Sequence, residues 1–257
     1  MDLLKFCNEI QLDDRQTKCV IENEFEKYDE LKELLYINSD EFFNVFNKTY
    51  GNSAKKMLSI MTRLAFDKEK EFDLKGICHK IYIDTFYDIK IWADIYEQLY
   101  NEVGFNENSW MILLLNMQVF RLGRLQFQPY LLAEDIKINE NVFSKGFKVY
   151  VVHIPKDVDL KISDIESSYA QAAAFFKEKS MYFICDSWLL TSVLRERFPN
   201  SHISMFAKRF TILKEDSHNN IADKFIFKNS SISRFNDELK KQGKCIGSAL
   251  GYFYYTA

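Results

Sequence analysis

The spacing of nonpolar residues changes near residue 120, and this change constrains the fold of the 257-residue chain more than any other feature. Before it, nonpolar residues recur at steps of three and four and fall on one helix face: Phe86, Ile89, Ala93, Tyr96 and Leu99. After it, short runs such as GFKVYVVHIP and MYFIC have the length and composition of strands. The sequence therefore predicts an α+β protein, with an all-helical domain over residues 1–119 and a mixed α/β sheet domain over residues 120–257.

In the first domain we expect helices near residues 2–10, 13–35, 40–49, 53–68, 76–102 and 107–119. Asp13 followed by Gln16 has the spacing of a helix start. The second domain is predicted to run β-β-β-α-β-α-β-β-α-β. Its predicted strands are RLGRLQFQPYLL at a sheet edge, IKIN and GFKVYVVHIP in an antiparallel meander, MYFIC, HISMFAKRFTIL, NIADKFIF and SALGYFYY. Its predicted helices follow a capping box at Ser163 and Glu166, cover SWLLTSVLRERF before Pro199, and span residues 231–242.

Composition narrows the class of partner. Residues 1–119 carry 14 Lys and Arg against 22 Asp and Glu, and residues 120–257 carry 20 against 15, so net charges of −8 and +5 add to −3. The second half is too weakly basic for nucleic acid, but its charge suits a small phosphate-bearing ligand. The most apolar run, WMILLLNMQVF, is too short for a membrane span. Five dispersed cysteines and the absence of a signal peptide predict a reducing, cytoplasmic location.

Five sequence motifs in the second half resemble those of a known family: RLGRLQF, VHIP, ESSYAQAAAFF, CDSWLL and SHISMF. With them the chain resembles an uncharacterised group of bacterial GNAT-like acyltransferases, in which a helical N-terminal domain precedes a GNAT-like C-terminal domain. One word departs from the family pattern, because His202 stands where asparagine is expected. The likeness spans roughly residues 110–257 and is vaguer in the helical half.

The resemblance implies that acyl-CoA is a co-substrate. It implies that the strand ending at His153 and the strand ending at Cys185 separate, with the pantetheine arm between them and the pyrophosphate at the start of the next helix. Pro155, Lys156 and Ser163 are then the candidate cofactor-binding residues. The loop before that helix departs from the superfamily, because residues 147–242 contain no glycine and a phosphate loop normally uses glycine for close backbone approach. The predicted capping box would also occupy the helix amides.

Four residues at the two strand ends are candidates for the chemistry. His153 is a general base or, alternatively, a histidine that hydrogen-bonds its own loop. Cys185 is a thiol that protonates the leaving group or accepts an acyl group beside His153; the alternative, a packed thiol, is the commoner fate of cysteine. Asp186 assists proton removal and Ser187 protonates the leaving thiolate, unless one of them only caps the next helix.

A second group of residues is predicted to bind substrate: Arg121, Arg124, Gln126, Trp188 and His202. Arg124 and Gln126 share one face of a regular strand and Arg121 lies on the other. The guanidinium groups would recognise a carboxylate or phosphate, or else form salt bridges to the acidic helical half. The four histidines are far apart in the chain and form no HxxxH or HExxH motif, so no metal site is expected.

The sequence thus predicts an acyl-CoA-dependent N-acyltransferase that acts on an amine of a small molecule, with no nucleic-acid or membrane partner. Two alternatives stay open at this stage. One is a binding or regulatory module that retains the fold without transfer chemistry, which the glycine-free loop favours. The other is a cysteine acyl-enzyme that uses Cys185 with His153. The acceptor and the oligomeric state are not readable from the sequence.

Overall fold

The computed structural model describes residues 1–138, 141–157, 159–226 and 230–257. The chain divides into two compact units, residues 1–121 and residues 122–257. Within the described ranges, no helix is both long enough and apolar enough to cross a membrane.

The first unit is helical. Its helices in chain order are α1 Leu3–Glu9, α2 Asp14–Glu22, α3 Tyr28–Ile37, α4 Ser39–Tyr50, α5 Ala54–Asp67, α6 Glu69–Leu74, α7 His79–Phe86, α8 Asp88–Tyr100 and α9 Asn108–Leu115. The predicted helix start at Asp13 is confirmed as a full capping box with Gln16. The core of this unit is rich in aromatic rings, with Phe72 and Tyr82 stacked edge to face at 5.2 Å between ring centroids.

Two of the predicted helices are wrong in extent. The helix predicted over 13–35 breaks into α2 and α3, because the Asn23 side chain donates a hydrogen bond to the Cys19 carbonyl at 2.7 Å and the Asn23 backbone turns extended. The helix predicted over 76–102 breaks at Tyr87 into α7 and α8. Nonpolar periodicity continues across this second break, so spacing alone could not reveal it. The short helix α6 was not predicted.

The second unit contains the sheet. Its strands, with β1 at the junction of the units, are β1 Phe120–Leu122, β2 Leu125–Leu131, β3 Ile136–Ile138, β4 Asn141–Phe143, β5 Lys148–His153, β6 Ser180–Ser187, β7 Thr211–Asp216 and β8 Ser248–Thr256. Its helices are α10 Ile162–Phe176, a short 3-10 helix Trp188–Leu190, α11 Ser192–Arg197, α12 His202–Ala207, α13 Ala222–Phe225 and α14 Ser231–Lys241.

The main sheet is mixed and runs in the order β1-β2-β5-β6-β8-β7. Strands β5 and β6 are parallel and are joined through α10, whereas β2 with β5, β6 with β8, and β7 with β8 are antiparallel. Helix α10 is fastened to one face of this sheet by Tyr169, which is fully buried. The Tyr169 ring lies 5.9 Å from Phe127 on β2, 4.9 Å from Phe183 on β6 and 4.9 Å from Phe253 on β8. The predicted α+β class, a helical domain followed by a mixed sheet domain, is therefore correct.

Several predictions for the second half are wrong in detail. The IKIN strand does not join the main sheet, because β3 pairs only with β4 in a separate hairpin; Asn139 lies outside the described residues. Strand β2 is not an edge strand, since β1 and β5 flank it. The HISMFA segment is helix α12, which Ser201 caps by accepting from the Ser204 amide at 3.2 Å. In NIADKFIF, residues 222–225 are helix α13, and Phe227 lies outside the described residues.

The turn between β1 and β2 is locked onto α10. Gly123 adopts a left-handed conformation, with φ of +71°. The Ser168 hydroxyl accepts a hydrogen bond from the Arg124 amide at 2.8 Å and donates one to the Asp164 carbonyl at 2.8 Å. A Cβ atom on Gly123 would lie 2.7 Å from the Ser168 hydroxyl oxygen. Glycine is therefore required here by both backbone conformation and close contact.

Replacing this glycine should destabilise the fold. We expect Gly123→Ala to lower the free energy of unfolding by about 2–3 kcal/mol, since it adds left-handed strain and disrupts the Ser168 hydrogen bonds. Gly146→Ala is the matched control, because Gly146 also has a positive φ, of +83°, but no atom within 4 Å of an added Cβ. The control should cost only about 1 kcal/mol. Equal losses in urea unfolding of the two variants would contradict the proposed contact.

Candidate active site at the end of the parallel strand pair

Strands β5 and β6 separate before they end. Their pairing consists of Tyr150 with Phe183 and Val151 with Ile184. Strand β5 then continues to His153, and β6 continues to Ser187 while paired with β8 throughout. The separation implied by the family resemblance is therefore present. Past Val151 and Ile184, no described pair joins the facing edges of the two strands, so a ligand that can form hydrogen bonds with a strand backbone fits here.

The predicted capping box at the start of α10 is wrong. The helix begins at Ile162, with Lys161 as its N-cap residue, and no described side chain accepts a hydrogen bond from the amides of its first turn. Ser163 is exposed inside the first turn, and its hydroxyl lies 3.4 Å from the Asp164 carboxylate. Glu166 instead pairs with Arg209. The Asp164 amide donates to the Lys161 carbonyl at 3.1 Å, and the Lys161 side chain makes no capping hydrogen bond. The helix start therefore lacks a side-chain cap, and the helix dipole favours an anion there.

The loop before α10 forms without glycine because its backbone does not need one. None of its described residues has a positive φ. The charge of one loop carboxylate is also partly neutralised. Asp159 accepts a hydrogen bond from the His202 ring at 2.8 Å and lies 3.7 Å from the Lys161 ammonium. The hydrogen bond from His202 lowers the pKa of the Asp159 carboxyl, so this group stays charged and paired. His202 is thus a partner of the loop at the first residue of α12, in an exposed position.

His153 is the last residue of β5, and its Nε2 lies 3.0 Å from Oε1 of Gln128. An amide oxygen only accepts, so Nε2 carries the proton in this arrangement and Nδ1 holds the lone pair. Burial lowers the pKa of His153 to about 4, which makes the ring neutral at physiological pH. Tyr150 contacts Phe176 of α10, so His153, three residues further along the strand, faces away from α10.

Cys185 lies on the opposite face of the sheet from His153. It is two residues beyond Phe183, which contacts Tyr169 of α10, and it is 1% exposed. Burial raises the pKa of its thiol far above the usual range, and the nearby Asp186 raises it further. The structure therefore does not assemble the Cys185–His153 dyad, and that prediction is wrong. The position of Cys185 is that of a packed core thiol.

Of the three residues after Cys185, one is exposed to solvent and two have structural contacts. Asp186 is exposed, and Ser187 accepts a hydrogen bond from the Leu189 amide at 3.2 Å, which caps the short 3-10 helix. The alternative of a capping serine is therefore confirmed, although Ser187 keeps its own hydroxyl proton. Trp188 packs against the small apolar cluster that contains Leu194. Its predicted contact with substrate has no support in this position.

The two arginines predicted to bind substrate lie apart, each with partners of its own. Arg121 is buried in the first unit, where its guanidinium lies over the Tyr87 ring at 5.4 Å. Arg124 lies in the turn before β2, not in the strand, and its Nε is 3.7 Å from the Asp164 carboxylate. These two side chains are therefore held by local partners. Pro155 is buried after β5, and Lys156 is half-buried with a pKa lowered by desolvation and by Lys224.

Gln126 and Gln128 lie on the same face as His153. Strand β2 pairs Gln126 with His153 and Gln128 with Val151. Gln128 was missed in the sequence, although its alternation with Gln126 in the LQFQ motif was a usable signal. Gln126 is 1% exposed, and its Nε2 has no hydrogen-bond partner in the described part of the chain. An unsatisfied buried donor costs about 1–3 kcal/mol, so its retention calls for a functional reason.

The neutral state of His153 should appear in the pH dependence of stability. Its pKa is about 4 in the fold against an ordinary value of 6.5, so between these pH values the unfolded chain binds a proton that the folded chain does not. The free energy of unfolding should therefore fall as pH decreases through this window, by roughly 3 kcal/mol in total. Urea unfolding of His153→Gln between pH 7 and 4 should lack this loss. His218→Gln, at an exposed histidine, should retain it, and a retained loss in His153→Gln would refute the assignment.

Comparisons with solved structures place this geometry in a known fold. The chain superposes with a TM-score of 0.75 on an acyltransferase in complex with decanoyl-CoA and teicoplanin, at 15% identity over 97% of this chain and 86% of that chain. A second match, an acyltransferase in complex with decanoyl-CoA, has a TM-score of 0.64 at 16% identity over 98% of this chain and 99% of that chain. At this identity the likeness shows the fold. No curated protein matches the chain.

Family descriptions match both units of the sequence. Residues 1–117 match the N-acyltransferase N-terminal domain, and residues 119–244 match the GNAT-like C-terminal domain. The two matches together cover the helical unit and the sheet up to the turn before β8. The chain belongs to the family of proteins that join an N-acyltransferase N-terminal domain to a GNAT-like C-terminal domain.

Proposed function

We propose that the protein transfers an acyl group from an acyl-CoA thioester to an amine of a small molecule. The observation that carries this proposal is the separation of β5 and β6 after Val151 and Ile184, with the uncapped start of α10 following β5 after a loop of residues 154–161. The family supports the same activity, and the superposed structures are acyltransferases that hold CoA derivatives.

The residues present fit a coenzyme A molecule. The pantetheine arm carries amide groups that pair with the facing edges of β5 and β6. The pyrophosphate is an anion, which suits the uncapped start of α10, with Lys161 at the N-cap and Ser163 in the first turn. Lys156 and Pro155 border this place on the loop after β5. The absence of glycine does not oppose this arrangement, because no described residue of the loop has a positive φ that would need glycine.

The chemistry we propose is direct transfer. The amine nitrogen forms a bond to the thioester carbonyl carbon, the carbon–sulfur bond breaks, and the amine loses a proton. His153 is neutral and accepts that proton directly or through water, with Asp186 as the other candidate base. The proton taken up by His153 passes to the leaving thiolate through the Ser187 hydroxyl, which gives its own proton and regains one, and a backbone amide near His153 stabilises the oxyanion. Cys185 has no part in this scheme because its thiol faces the core under α10.

The acyl group we propose is an aliphatic chain. On the sheet face that carries His153, nonpolar side chains line a groove between the strands and the β3–β4 hairpin, including Val149, Ile184, Leu213, Leu250 and Phe143. Similar structures bind decanoyl-CoA and octanoyl-CoA. A groove without polar lining matches such a chain, since each buried methylene contributes about 0.8 kcal/mol.

The acceptor is a small molecule in this proposal. Two of the similar structures are complexes with teicoplanin and with 10C-teicoplanin, so a molecule of that kind is one candidate acceptor. Among the described residues, no group of three His, Cys, Asp or Glu side chains could hold a metal ion. Bacterial origin stays a prediction from the resemblance. The cytoplasmic location stays a prediction from the cysteines and the absence of a signal peptide, and the absence of a nucleic-acid partner stays a prediction from the weak basic charge.

Binding of CoA can be tested at the start of α10. Lys161→Asp should supply the missing N-cap and raise the melting temperature, because such a cap contributes about 1 kcal/mol. The same carboxylate should repel the pyrophosphate, so the stabilisation by CoA should be lost; in the wild type it should reach about 2.7 kcal/mol at 100 times the dissociation constant.

Lys179→Asp, the same charge change at an exposed residue beyond the other end of α10, is the control and should keep the stabilisation. A wild-type protein that does not respond to CoA or acetyl-CoA would overturn the proposed function. Binding without release of CoA thiol in the presence of amines would favour the alternative of a non-catalytic module.

Chain-length preference can be tested in the apolar groove. Leu213→Trp should fill the groove at the half-buried strand β7, and it should lower the affinity for decanoyl-CoA about tenfold while leaving acetyl-CoA unchanged. Isothermal titration measures both affinities. Leu99→Trp makes the same change at an exposed leucine of α8 and serves as the control. An unchanged preference in Leu213→Trp would exclude the groove as the acyl site.

A further inference from the structure

Gln126 is the least explained polar residue near the separated strands. It lies on β2, opposite His153 in the strand register, and both side chains face away from α10. Its amide nitrogen Nε2 is enclosed and lacks a hydrogen-bond partner in the described ranges. Nearby, Gln128 is already bonded to His153. The N–H donor without a partner therefore belongs to Gln126, which is paired with His153 beyond the last residue pair of β5 and β6.

The chemistry around this donor narrows what it binds. The two residues beside it on this face, Gln128 and His153, are both uncharged, so the surroundings do not select an anion such as a phosphate. A primary amide nitrogen donates and does not accept, which excludes a protonated amine as its partner. A neutral carbonyl oxygen meets both conditions, and a donor enclosed away from water forms its strongest hydrogen bond when that oxygen gains negative charge.

Polarity along the same face supports one orientation for such a ligand. At the end of β5, His153 forms a polar group with Gln126 and Gln128 of the neighbouring strand β2. Further back along the strand, Val151 and then Val149 continue the face into the apolar groove. A fatty acyl thioester has this order of polarity, with a carbonyl at one end and a hydrocarbon chain behind it.

We infer that the Gln126 side-chain amide donates a hydrogen bond to the carbonyl oxygen of the bound acyl thioester. This inference rests on the proposed function. In the reaction the carbonyl carbon gains the amine nitrogen and loses the thiolate sulfur. The carbonyl oxygen first becomes more negative and then becomes the carbonyl oxygen of the product amide. Gln126 donates its hydrogen bond to this oxygen throughout. Gln126 is therefore a further catalytic residue. It lies on β2, whereas the candidates for phosphate binding lie between β5 and α10 and the other catalytic candidates lie near the ends of β5 and β6.

The test compares two ligands that differ only in the carbonyl. Decanoyl-CoA is the thioester, and decyl-CoA is the thioether with the same chain and no carbonyl. The wild-type protein should bind decanoyl-CoA about fivefold to tenfold more tightly than decyl-CoA by isothermal titration. Gln126→Met keeps the length of the side chain and removes the donor, so it should bring this ratio to about one while leaving the affinity for decyl-CoA unchanged.

Tyr169→Phe is the matched control. It removes another buried polar atom without a hydrogen-bond partner in the described residues, but on the sheet face under α10. It should keep the wild-type ratio. Gln126→Glu replaces the donor by an acceptor and should repeat the loss, which covers the case in which Gln126→Met does not fold. The melting temperature of Gln126→Met should not fall, because the variant deletes an unsatisfied amide.

The outcomes separate the inference from the function on which it rests. A ratio that stays at the wild-type value in both Gln126 variants overturns the inference, as does a wild type that binds the two ligands equally. A wild type that binds neither ligand overturns the proposed function itself. As a spectroscopic readout, the carbonyl stretch of bound, carbon-13-labelled decanoyl-CoA should shift to lower frequency in the wild type and not in Gln126→Met.

Discussion

The contact of Tyr169 with the sheet organises the second unit. Its ring packs against Phe127, Phe183 and Phe253, which lie on strands β2, β6 and β8. One side chain of α10 thus spans strands on both sides of β5. This contact determines which sheet face is the core, and by the alternation of a strand it also determines that His153, Gln126 and Gln128 face the other way. The start of α10 follows β5 by a short loop, so the same packing places the uncapped helix end beside the separated strands.

Much of this arrangement could be predicted from the sequence. The change from helical spacing to strand alternation near residue 120 reflects the two repeat periods of regular structure, and short-range spacing is enough to detect it. The succession of β5, α10 and β6 was predicted because each has a nonpolar pattern of the right length. Four of the five motifs that resembled the family lie on these elements and on the segments that follow them, and the fifth, RLGRLQF, lies on β1 and β2. The resemblance therefore predicted the fold and the location of the site together.

The errors have a common physical origin in contacts between distant residues. Ser163 and Glu166 have the spacing of a capping box, but Arg209 pairs with Glu166 and the helix begins before the serine. His153 and Cys185 were both predicted at strand ends, but β6 continues to Ser187. The register of the parallel pair puts the two side chains on opposite faces of the sheet, and no local pattern encodes that register. The segment after Ser201 alternates like a strand, yet its cap and the burial of Phe206 and Ala207 favour a helix.

The short pairing between β5 and β6 has a mechanical consequence. The sheet consists of two ribbons, one containing β2 and β5 and the other containing β6, β8 and β7, and they share a seam of two residue pairs. Beyond those two pairs, α10 links the two ribbons, because Tyr169 packs against both Phe127 of β2 and Phe183 of β6. A molecule whose own amide groups enter the seam would act as a missing strand and would join the ribbons into one continuous sheet. Binding of that molecule would then also complete the sheet, so the rigidity of the two strand ends would depend on the bound ligand.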